Sequence, residues 1–250
     1  MLRRLALTLG FLVMANLARG GPPFTTDDPE PVEYRHGEFY LASRTVHDAG
    51  GWSGTAPHVE VNYGAFSNGQ LHVIAPLAFV APVHDHAQFG YGDTELGVKY
   101  RFVEETTWGP QVGTFPMVEV PTGDSTRNLG SGQTQVFLPL WLQKSFGSWT
   151  TYGGGGYWIN PGAGNLDWWF LGWVLQYQIF SRLVLGAEVW HATVQAAGGD
   201  SQTQLNVGAI YDFSDTRHLL FSAGPAIQGP SGFQGYVAFQ LTFGPKKHSA

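Results

Sequence analysis

Charged and amide side chains recur at every second position in several segments of the chain, the spacing that puts them on one face of a β-strand. The clearest segment alternates Glu95, Gly97, Lys99 and Arg101 with Leu96, Val98, Tyr100 and Phe102. Repeated alternation of this kind is a strand signature. Side chains of both charge signs on neighbouring strands create a field between them, which orients polar solutes. The chemistry that the pattern indicates is recognition of a solute by a polar wall.

Residue types suited to catalysis are present but not in a catalytic arrangement. A serine nucleophile needs a histidine nearby on the same face. Ser43 and Ser222 are the serines of the predicted strands, and His58, the strand histidine nearest to Ser43, falls on the opposite face. We therefore predict that the protein is not an enzyme. His84 and His86 form a pair in a loop, but two imidazoles without a fixed third ligand seldom bind a metal, so no metal and no cofactor is expected.

The composition excludes several classes of protein. Of the 250 residues, 34 are Gly, 14% are aromatic, 13% are charged and none is Cys. About 25% charged residues is usual in soluble proteins. The mean hydropathy of −0.09 leaves no long apolar runs for a helical membrane bundle. A formal charge of −6, with no basic cluster except Lys246 and Lys247, argues against a nucleic-acid partner.

Alternation with a period of two recurs almost to the end of the chain and predicts twelve strands. They cover residues 39–46, 58–66, 71–80, 95–102, 112–120, 133–144, 149–159, 168–177, 182–190, 204–211, 219–226 and 233–243. Long and short connections alternate along the first half of the chain, and the pair Asn68 and Gly69 favours a tight hairpin. Long loops on one side and short turns on the other are typical of outer-membrane barrels.

The predicted fold class is all-β: a transmembrane, up-and-down antiparallel β-barrel of about 12 strands that follows a cleaved signal peptide. Aromatic residues near strand ends, such as Trp149, Trp158 and Trp169, are expected to form the girdles at the two membrane interfaces. The alternative is a soluble sandwich or a lipocalin-like barrel. The scarcity of charge favours the membrane, because soluble sheets carry more charge on their outer face.

The chain is predicted to consist of four parts. Residues 1–20 have basic, apolar and small-residue regions in the order of a signal peptide. Residues 21–37 form a Pro-rich periplasmic leader without periodicity, residues 38–243 form the barrel, and residues 244–250 form a C-terminal tail. The signal peptide and the barrel together predict export to the outer membrane of a Gram-negative-type envelope.

The last predicted strand alternates apolar residues up to Phe243. A terminal strand of this kind is similar to the signal read by the barrel assembly machinery, which we expect to be a partner together with outer-membrane lipids. Seven residues follow Phe243, whereas this signal usually stands at the end of the chain.

Three blocks, at residues 92–102, 112–124 and 137–162, resemble the bacterial outer-membrane family named for the meta-pathway of phenol degradation, often described as transporters. The resemblance extends over most of the chain after the signal peptide. It implies an outer-membrane β-barrel with a role in the uptake of small molecules, aromatic ones among them. It implies no particular catalytic or binding residue.

If the apolar face contacts lipid, the other face lines the lumen. The predicted lumen-lining residues are Arg44, His58, Glu60, His72, Glu95, Lys99, Arg101, Glu119, Gln135, Trp141, Glu188 and Asn206. One interpretation is a solute path with Lys99 and Arg101 opposing Glu60 and Glu119. The alternative is that these groups pair and fill the interior, because twelve strands lie between the filled barrels of eight and the open channels of sixteen.

The sequence thus predicts a passive, porin-like channel or transporter for small, aromatic or hydrophobic solutes. Inward-facing Phe137, Trp141 and Trp168 would form a constriction or an apolar surface for such solutes. A closed structural or ligand-binding barrel is the alternative, and a lipid-modifying enzyme is the third. Pro76, Pro116 and Pro139 lie within strand runs and predict bulges or register breaks, which either narrow the barrel or open its wall.

Overall fold

The computed structural model describes residues 22–245. The predicted signal peptide and most of the predicted tail lie outside the described residues. The strands are β1 (Gly37–Asp48), β2 (Gly51–Phe66), β3 (Gly69–Pro82), β4 (Gln88–Tyr91), β5 (Thr94–Val103), β6 (Gln111–Thr114), β7 (Met117–Val120), β8 (Gln135–Phe146), β9 (Trp149–Ile159), β10 (Trp168–Phe180), β11 (Leu183–Ala192), β12 (Gln202–Ser214), β13 (Arg217–Gln228) and β14 (Gly232–Phe243). The only described helix is a single 3₁₀ turn at Ser125–Arg127, and no described helix is long and apolar enough to cross a membrane.

The strands close into an antiparallel barrel, which confirms the predicted fold class. Each strand pairs with its neighbours in the chain, and β1 closes the ring by pairing with β14 from Gly37 opposite Phe243 to Asp48 opposite Gly232. β6 and β7 form one barrel strand between β5 and β8, and β4 extends the hairpin beyond the end of the β3–β5 pairing. The barrel therefore has twelve strands. A closed barrel satisfies its backbone hydrogen bonds without leaving an edge.

The outer face is apolar, as shown by β10. Leu171, Trp173 and Leu175 point outward and are 46–52% exposed, whereas Val174 and Gln176 between and after them point inward and are buried. The same alternation in β12 exposes Val207 and buries the neighbouring amide and aliphatic side chains. An exterior of this kind requires lipid around it, because water would be in contact with every second large apolar side chain.

Two of the strand prolines interrupt the ladder at one place in the wall. Pro116 lies between β6 and β7. The pairing with β8 ends at Gly113 opposite Trp141 and begins again at Met117 opposite Phe137. Pro139 is opposite Gly156 of β9 but has no ladder partner on the β6–β7 side, where its carbonyl accepts a hydrogen bond from Thr114 Oγ1 at 2.6 Å. The predicted single strand at 112–120 is therefore divided in two, because a residue without N–H cannot continue the ladder.

We call residues 22–36 the luminal segment: residues 22–32 lie inside the barrel, and residues 33–35 are exposed at its end. The sequence predicts instead that residues 21–37 form a leader in the periplasm. Phe24, Thr26, Asp28 and Pro29 are all buried, and they contact inward-facing residues of several strands. The segment reaches β1 at the barrel end that carries the short turns, where Arg35 N donates to Gly64 O. Short turns mark the periplasmic end of an outer-membrane barrel, so the luminal segment occupies the periplasmic half.

Candidate functional site in the lumen

A cavity of about 1260 Å³ runs along the lumen beside the luminal segment. Its lining includes Asp215 and Pro245 at the periplasmic end and Gln135 and Gln195 at the opposite end. The interior is therefore only partly filled by its own side chains. The space left is large enough for a solute, since ligand pockets commonly measure about 300–1,000 Å³.

One wall of the cavity is aromatic and is built from β8 to β11. Phe137 stacks on Trp158 with ring centroids 4.8 Å apart, and Trp158 stacks on Trp168 at 5.5 Å. Phe170 lies edge-on to Phe137 at 6.3 Å and continues to Trp190 at 5.8 Å. These five residues line the cavity, and we call them the aromatic wall. Trp158, expected in a membrane girdle, thus faces the lumen together with Trp168, whereas Trp169 is 53% exposed on the outside.

Glycines on β9 make room for this wall. A Cβ atom on Gly156 would lie 2.5 Å from Phe137 Cε2, and one on Gly153 would lie 2.5 Å from Cε3 of the outward-facing Trp173. The run of four glycines at residues 153–156 therefore lets aromatic rings from both neighbouring strands lie flat against the backbone.

The adjoining wall, on β3, β5 and β7, is charged. Glu95 and Glu119 are directly opposite one another in the β5–β7 register, a pairing that is unfavourable for two like charges. His72 Nε2 lies 2.9 Å from Glu95 Oε1, and the same histidine lies 3.7 Å from Glu60. Among the described residues, Glu119 has no hydrogen bond or ion pair of its own, so its carboxylate is left to the cavity.

The cation of the cavity is Arg44 of β1. Its guanidinium makes one long hydrogen bond, 3.5 Å from Nη2 to Gln234 Oε1, and no ion pair within the described chain. Glu95, Glu119 and Glu188 all act on it electrostatically. The transverse field therefore runs between Arg44 and Glu119.

The sequence had assigned the positive side of this field to Lys99 and Arg101. Lys99 Nζ is instead 2.8 Å from Asp27 Oδ1 and 3.4 Å from Asp28 Oδ2, so the luminal segment neutralises it. Arg101 donates to Asn68 Oδ1 and Gln111 Oε1, at 2.9 and 3.2 Å, and does not line the cavity.

The luminal segment is held by polar contacts along its whole length. Thr26 N donates to Glu188 Oε1 at 2.5 Å, and Asn206 Nδ2 holds the other oxygen of that carboxylate at 2.7 Å. Ser222 Oγ donates to the carbonyl of Pro23 at 2.5 Å. Val32 N donates to Gln70 Oε1 at 2.8 Å. These bonds satisfy backbone groups that have no ladder partner.

Glu30 anchors the middle of the segment. Its Oε2 accepts hydrogen bonds from Gln143 Nε2 at 3.0 Å and Gln111 Nε2 at 3.2 Å. Burial raises the pKa of Glu30 above the ordinary glutamate value, and these two hydrogen bonds oppose the rise without cancelling it.

Glycines of three neighbouring strands form a seat for the apolar part of the segment. A Cβ atom on Gly186 would lie 2.7 Å from Phe24 Cζ, and one on Gly208 would lie 3.1 Å from Phe24 Cε1. On Gly172 it would collide with Thr26. The seat exists because these inward positions carry no side chain.

The structure brings most of the predicted lumen residues to the cavity. Those that line it are Arg44, His58, Glu60, His72, Glu95, Lys99, Glu119 and Gln135. Arg101, Trp141, Glu188 and Asn206 are placed elsewhere, the last two against the luminal segment and Trp141 within the buried aromatic cluster. Sequence reasoning omitted Trp158, Phe170, Trp190 and Tyr236. Their inward parity was readable from the alternation, but an aromatic side chain does not mark the polar face.

Neither serine considered as a nucleophile contacts a histidine. Ser43 Oγ donates to Thr55 O at 2.8 Å, and Ser222 Oγ binds the luminal segment. On the lipid side, Thr203 Oγ1 lies 2.9 Å from His191 Nδ1, but its hydroxyl donates to Gln228 Oε1. Within residues 22–245, His84 and His86 belong to no group of three or more side chains that could hold a metal ion.

A closed twelve-strand barrel with an apolar exterior and a polar and aromatic lumen defines a transmembrane β-barrel of the bacterial outer membrane. The structure is similar to that of the COG4313 outer membrane channel from Pseudomonas putida F1, which is 18% identical, with a TM-score of 0.68 over 86% of this chain and 98% of that chain. It is also similar to the NanC porin, 6% identical, with a TM-score of 0.58 over 81% and 98% of the two chains.

The KdgM porin, 11% identical, has a TM-score of 0.57 over 82% of this chain and 99% of its own. At these identities the likeness concerns the fold. No family model and no curated protein matches the sequence, so membership of the phenol meta-pathway family stays a prediction.

Proposed function

We propose that the protein is a passive outer-membrane channel for small molecules with an aromatic body. The observation that carries this proposal is one cavity that reaches both ends of the barrel and is bounded over one side by the aromatic wall. Stacking on such a wall is favourable for any flat ring and needs no further hydrogen bond. Weak, repeated contacts of this kind allow a solute to enter and also to leave.

The luminal segment sets the width of the path. It contacts β10 to β12 through its apolar part and β3, β5, β6, β8 and β13 through hydrogen bonds and ion pairs. The cavity passes beside it, between Phe24, Asp27 and Glu30 of the segment and Tyr40 and Gln240 of β1 and β14. The path is therefore narrower than the barrel, which favours small solutes. No energy source or cofactor is part of this proposal.

Single-channel recording from the purified full chain in planar bilayers tests the proposal. Small neutral aromatic molecules cross lipid unaided, so the readout is the ion current and its interruption by an added aromatic solute such as benzyl alcohol. We expect small steps of conductance and brief interruptions that become more frequent with solute concentration. A sugar of similar size serves as the control solute. Absence of steps at all voltages would refute the channel.

A closed ligand-binding barrel is the second candidate, favoured by the buried and hydrogen-bonded luminal segment. It predicts saturable binding of the aromatic solute in detergent without any conductance. Lipid hydrolysis would require activity that depends on a serine or threonine hydroxyl. The geometry does not favour Thr203 as this nucleophile, because its hydroxyl donates its proton to the amide oxygen of Gln228.

A further inference from the structure

Three side chains with unused hydrogen-bond donors meet on the β1 side of the cavity. Arg44 of β1 lies opposite Tyr236 of β14 and opposite Thr55 of β2 in the two registers. His58 follows Thr55 on β2, and its ring centroid is 6.2 Å from that of Tyr236. All three of Arg44, His58 and Tyr236 line the cavity. The register thus places the guanidinium and the phenol at one level of the lumen, and the imidazole, which is opposite Ala42, beside the phenol.

Each of these side chains has a hydrogen-bond donor that the protein leaves unused. His58 is 6% exposed and its Nε2 has no hydrogen-bond partner among the described residues; the same is true of Tyr236 Oη. The guanidinium of Arg44 has only its long bond to Gln234. Buried polar atoms are normally hydrogen-bonded, and each exception needs an explanation. A ligand that accepts hydrogen bonds would supply the missing partners of His58 Nε2 and Tyr236 Oη and a charged partner for the guanidinium of Arg44, which is exposed.

The local hydrogen bonds allow both uncharged groups to act as donors. His58 Nδ1 lies 2.7 Å from Thr55 Oγ1. When the threonine hydroxyl donates to Nδ1, the proton of the neutral imidazole is on Nε2, which has no hydrogen-bond partner among the described residues. The phenol of Tyr236 is free to donate in the same way. Two neutral donors beside a guanidinium are suited to a carboxylate, which has two oxygens and accepts a bidentate pair from Arg.

Acidic groups nearby do not remove this preference. Glu60 is close to Tyr236, but it accepts a hydrogen bond from Asn62 at 2.9 Å and lies beside His72. Glu95 is bound by the same histidine. Glu119 is the carboxylate left without a partner among the described residues, and it belongs to the wall formed by β5 and β7. It repels an anion towards Arg44 and so orients the solute.

We infer that Arg44, His58 and Tyr236 form a carboxylate subsite, so that the preferred solute is an aromatic carboxylic acid in its anionic form. Its carboxylate binds these three donors while its ring lies towards the aromatic wall across the same cavity. This inference rests on the proposed function, because it names the chemical class of the solute that the cavity takes.

The test compares three probes of similar size: benzoate, benzyl alcohol and benzylammonium. Binding to the full chain in detergent is measured by calorimetry or NMR titration, which does not require an open pore. We expect the wild type to bind benzoate more tightly than the other two. Arg44→Gln should weaken benzoate binding about tenfold or more and Tyr236→Phe about fivefold, in line with hydrogen bonds to charged groups. Benzyl alcohol binding should change little.

Tyr236→Phe is the sharper variant, because the hydroxyl that it removes has no partner in the described structure and its loss should leave folding unchanged. Arg182→Gln at an exposed turn and Tyr177→Phe on the outer face are the matched controls. Folding of every variant is checked by heat-modifiable gel mobility.

Equal affinity for benzoate and benzyl alcohol, or unchanged benzoate binding in both variants, would overturn the subsite. Preference for benzylammonium would overturn it as well and would identify Glu119 as the dominant charge. Benzoate selectivity in detergent without conductance in bilayers would instead remove the channel and keep the subsite.

Discussion

Lys99 Nζ on the barrel wall lies 2.8 Å from Oδ1 of Asp27 in the luminal segment. The two residues are 72 positions apart in the chain. The lysine side chain is 6% exposed, and Asp28, 1% exposed, lies at 3.4 Å from the same nitrogen. The wall thus holds the segment through a buried charge cluster, and the strength of that cluster decides how firmly the lumen is narrowed.

Lys99→Met should loosen the luminal segment. Removing one partner of a buried ion pair costs about 3–5 kcal/mol, because the remaining charge is uncompensated. The carboxylate of Asp27 would then lack its partner, beside the buried Asp28, whose pKa burial raises to about 8. We expect the segment to leave its seat and the single-channel conductance to rise. Lys144→Met is the control, since that lysine pairs with Glu105 at 2.9 Å near the barrel rim and outside the lumen. Adding Asp27→Asn and Asp28→Asn to Lys99→Met should restore a smaller conductance; identical conductance in all variants would contradict this role.

Gly186→Leu should displace the segment by a different route. A side chain at this position collides with the ring of Phe24, while the backbone of β11 can remain as it is. We expect a wider channel and increased protease cleavage within residues 22–36, with the barrel still resistant to heat in a gel. Gly199→Ala, at an exposed loop position, provides the comparison. A barrel that keeps its wild-type conductance would show that the path does not pass the seat.

Trp168 and Trp169 form a matched pair for testing the aromatic wall. Trp168 stacks on Trp158 inside the lumen, whereas Trp169 packs against Tyr157 on the outer face, with ring centroids 5.0 Å apart. An aromatic pair contributes about 0.5–1.5 kcal/mol beyond burial, so Trp168→Ala should weaken binding of benzyl alcohol by roughly two- to tenfold. Trp169→Ala should leave it unchanged. The reverse order of effects would place solute binding outside the barrel.

The raised pKa of Glu30 predicts that the stability of the seated luminal segment depends on pH. Burial raises its pKa in the seated segment above the ordinary value, which is about 4.3 for free glutamate. The seated segment therefore binds a proton more tightly than the released segment. The stability of the seated state is complete below the ordinary pKa of glutamate and falls as the pH rises through the raised pKa of Glu30. Lys99 and Arg101 are the cations that oppose this shift. Conductance should increase with pH over this window, and Glu30→Gln should flatten the profile; a steeper profile in the variant would contradict the assignment.

The alternation of side chains was sufficient to predict the strands. Glu95, Lys99 and Arg101 alternate with outward-facing apolar residues in the structure as they do in the sequence, because the pleat assigns parity locally. The sequence predicts a loop at Gln88–Tyr91, where the structure has β4. This strand is short and pairs only with residues 77–80 of β3. The break between β6 and β7 was signalled by Pro116, although the alternation continues across it.

The position of the luminal segment was not predictable. Residues 22–36 have no periodicity, and each of their contacts joins positions far apart in the chain, such as Thr26 with Glu188. The same holds for the roles of the charges. Arg44 and Lys99 are equivalent by parity, and both line the cavity. Lys99 is neutralised by Asp27 and Asp28, whereas Arg44 has no ion pair within the described chain. Only the register around the ring and the path of the segment separate them.

The sequence by itself determined a membrane barrel: period two, few charges, many aromatic residues and glycines, and two faces of opposite character. These are local properties, and the membrane requires them of every strand that crosses it. The tertiary structure decided what the lumen contains. Closure brings Trp158 and Trp168 into one wall and sets Arg44 beside His58 and Tyr236, because the shear of the barrel, which alternation alone does not encode, fixes which inward side chains share a level.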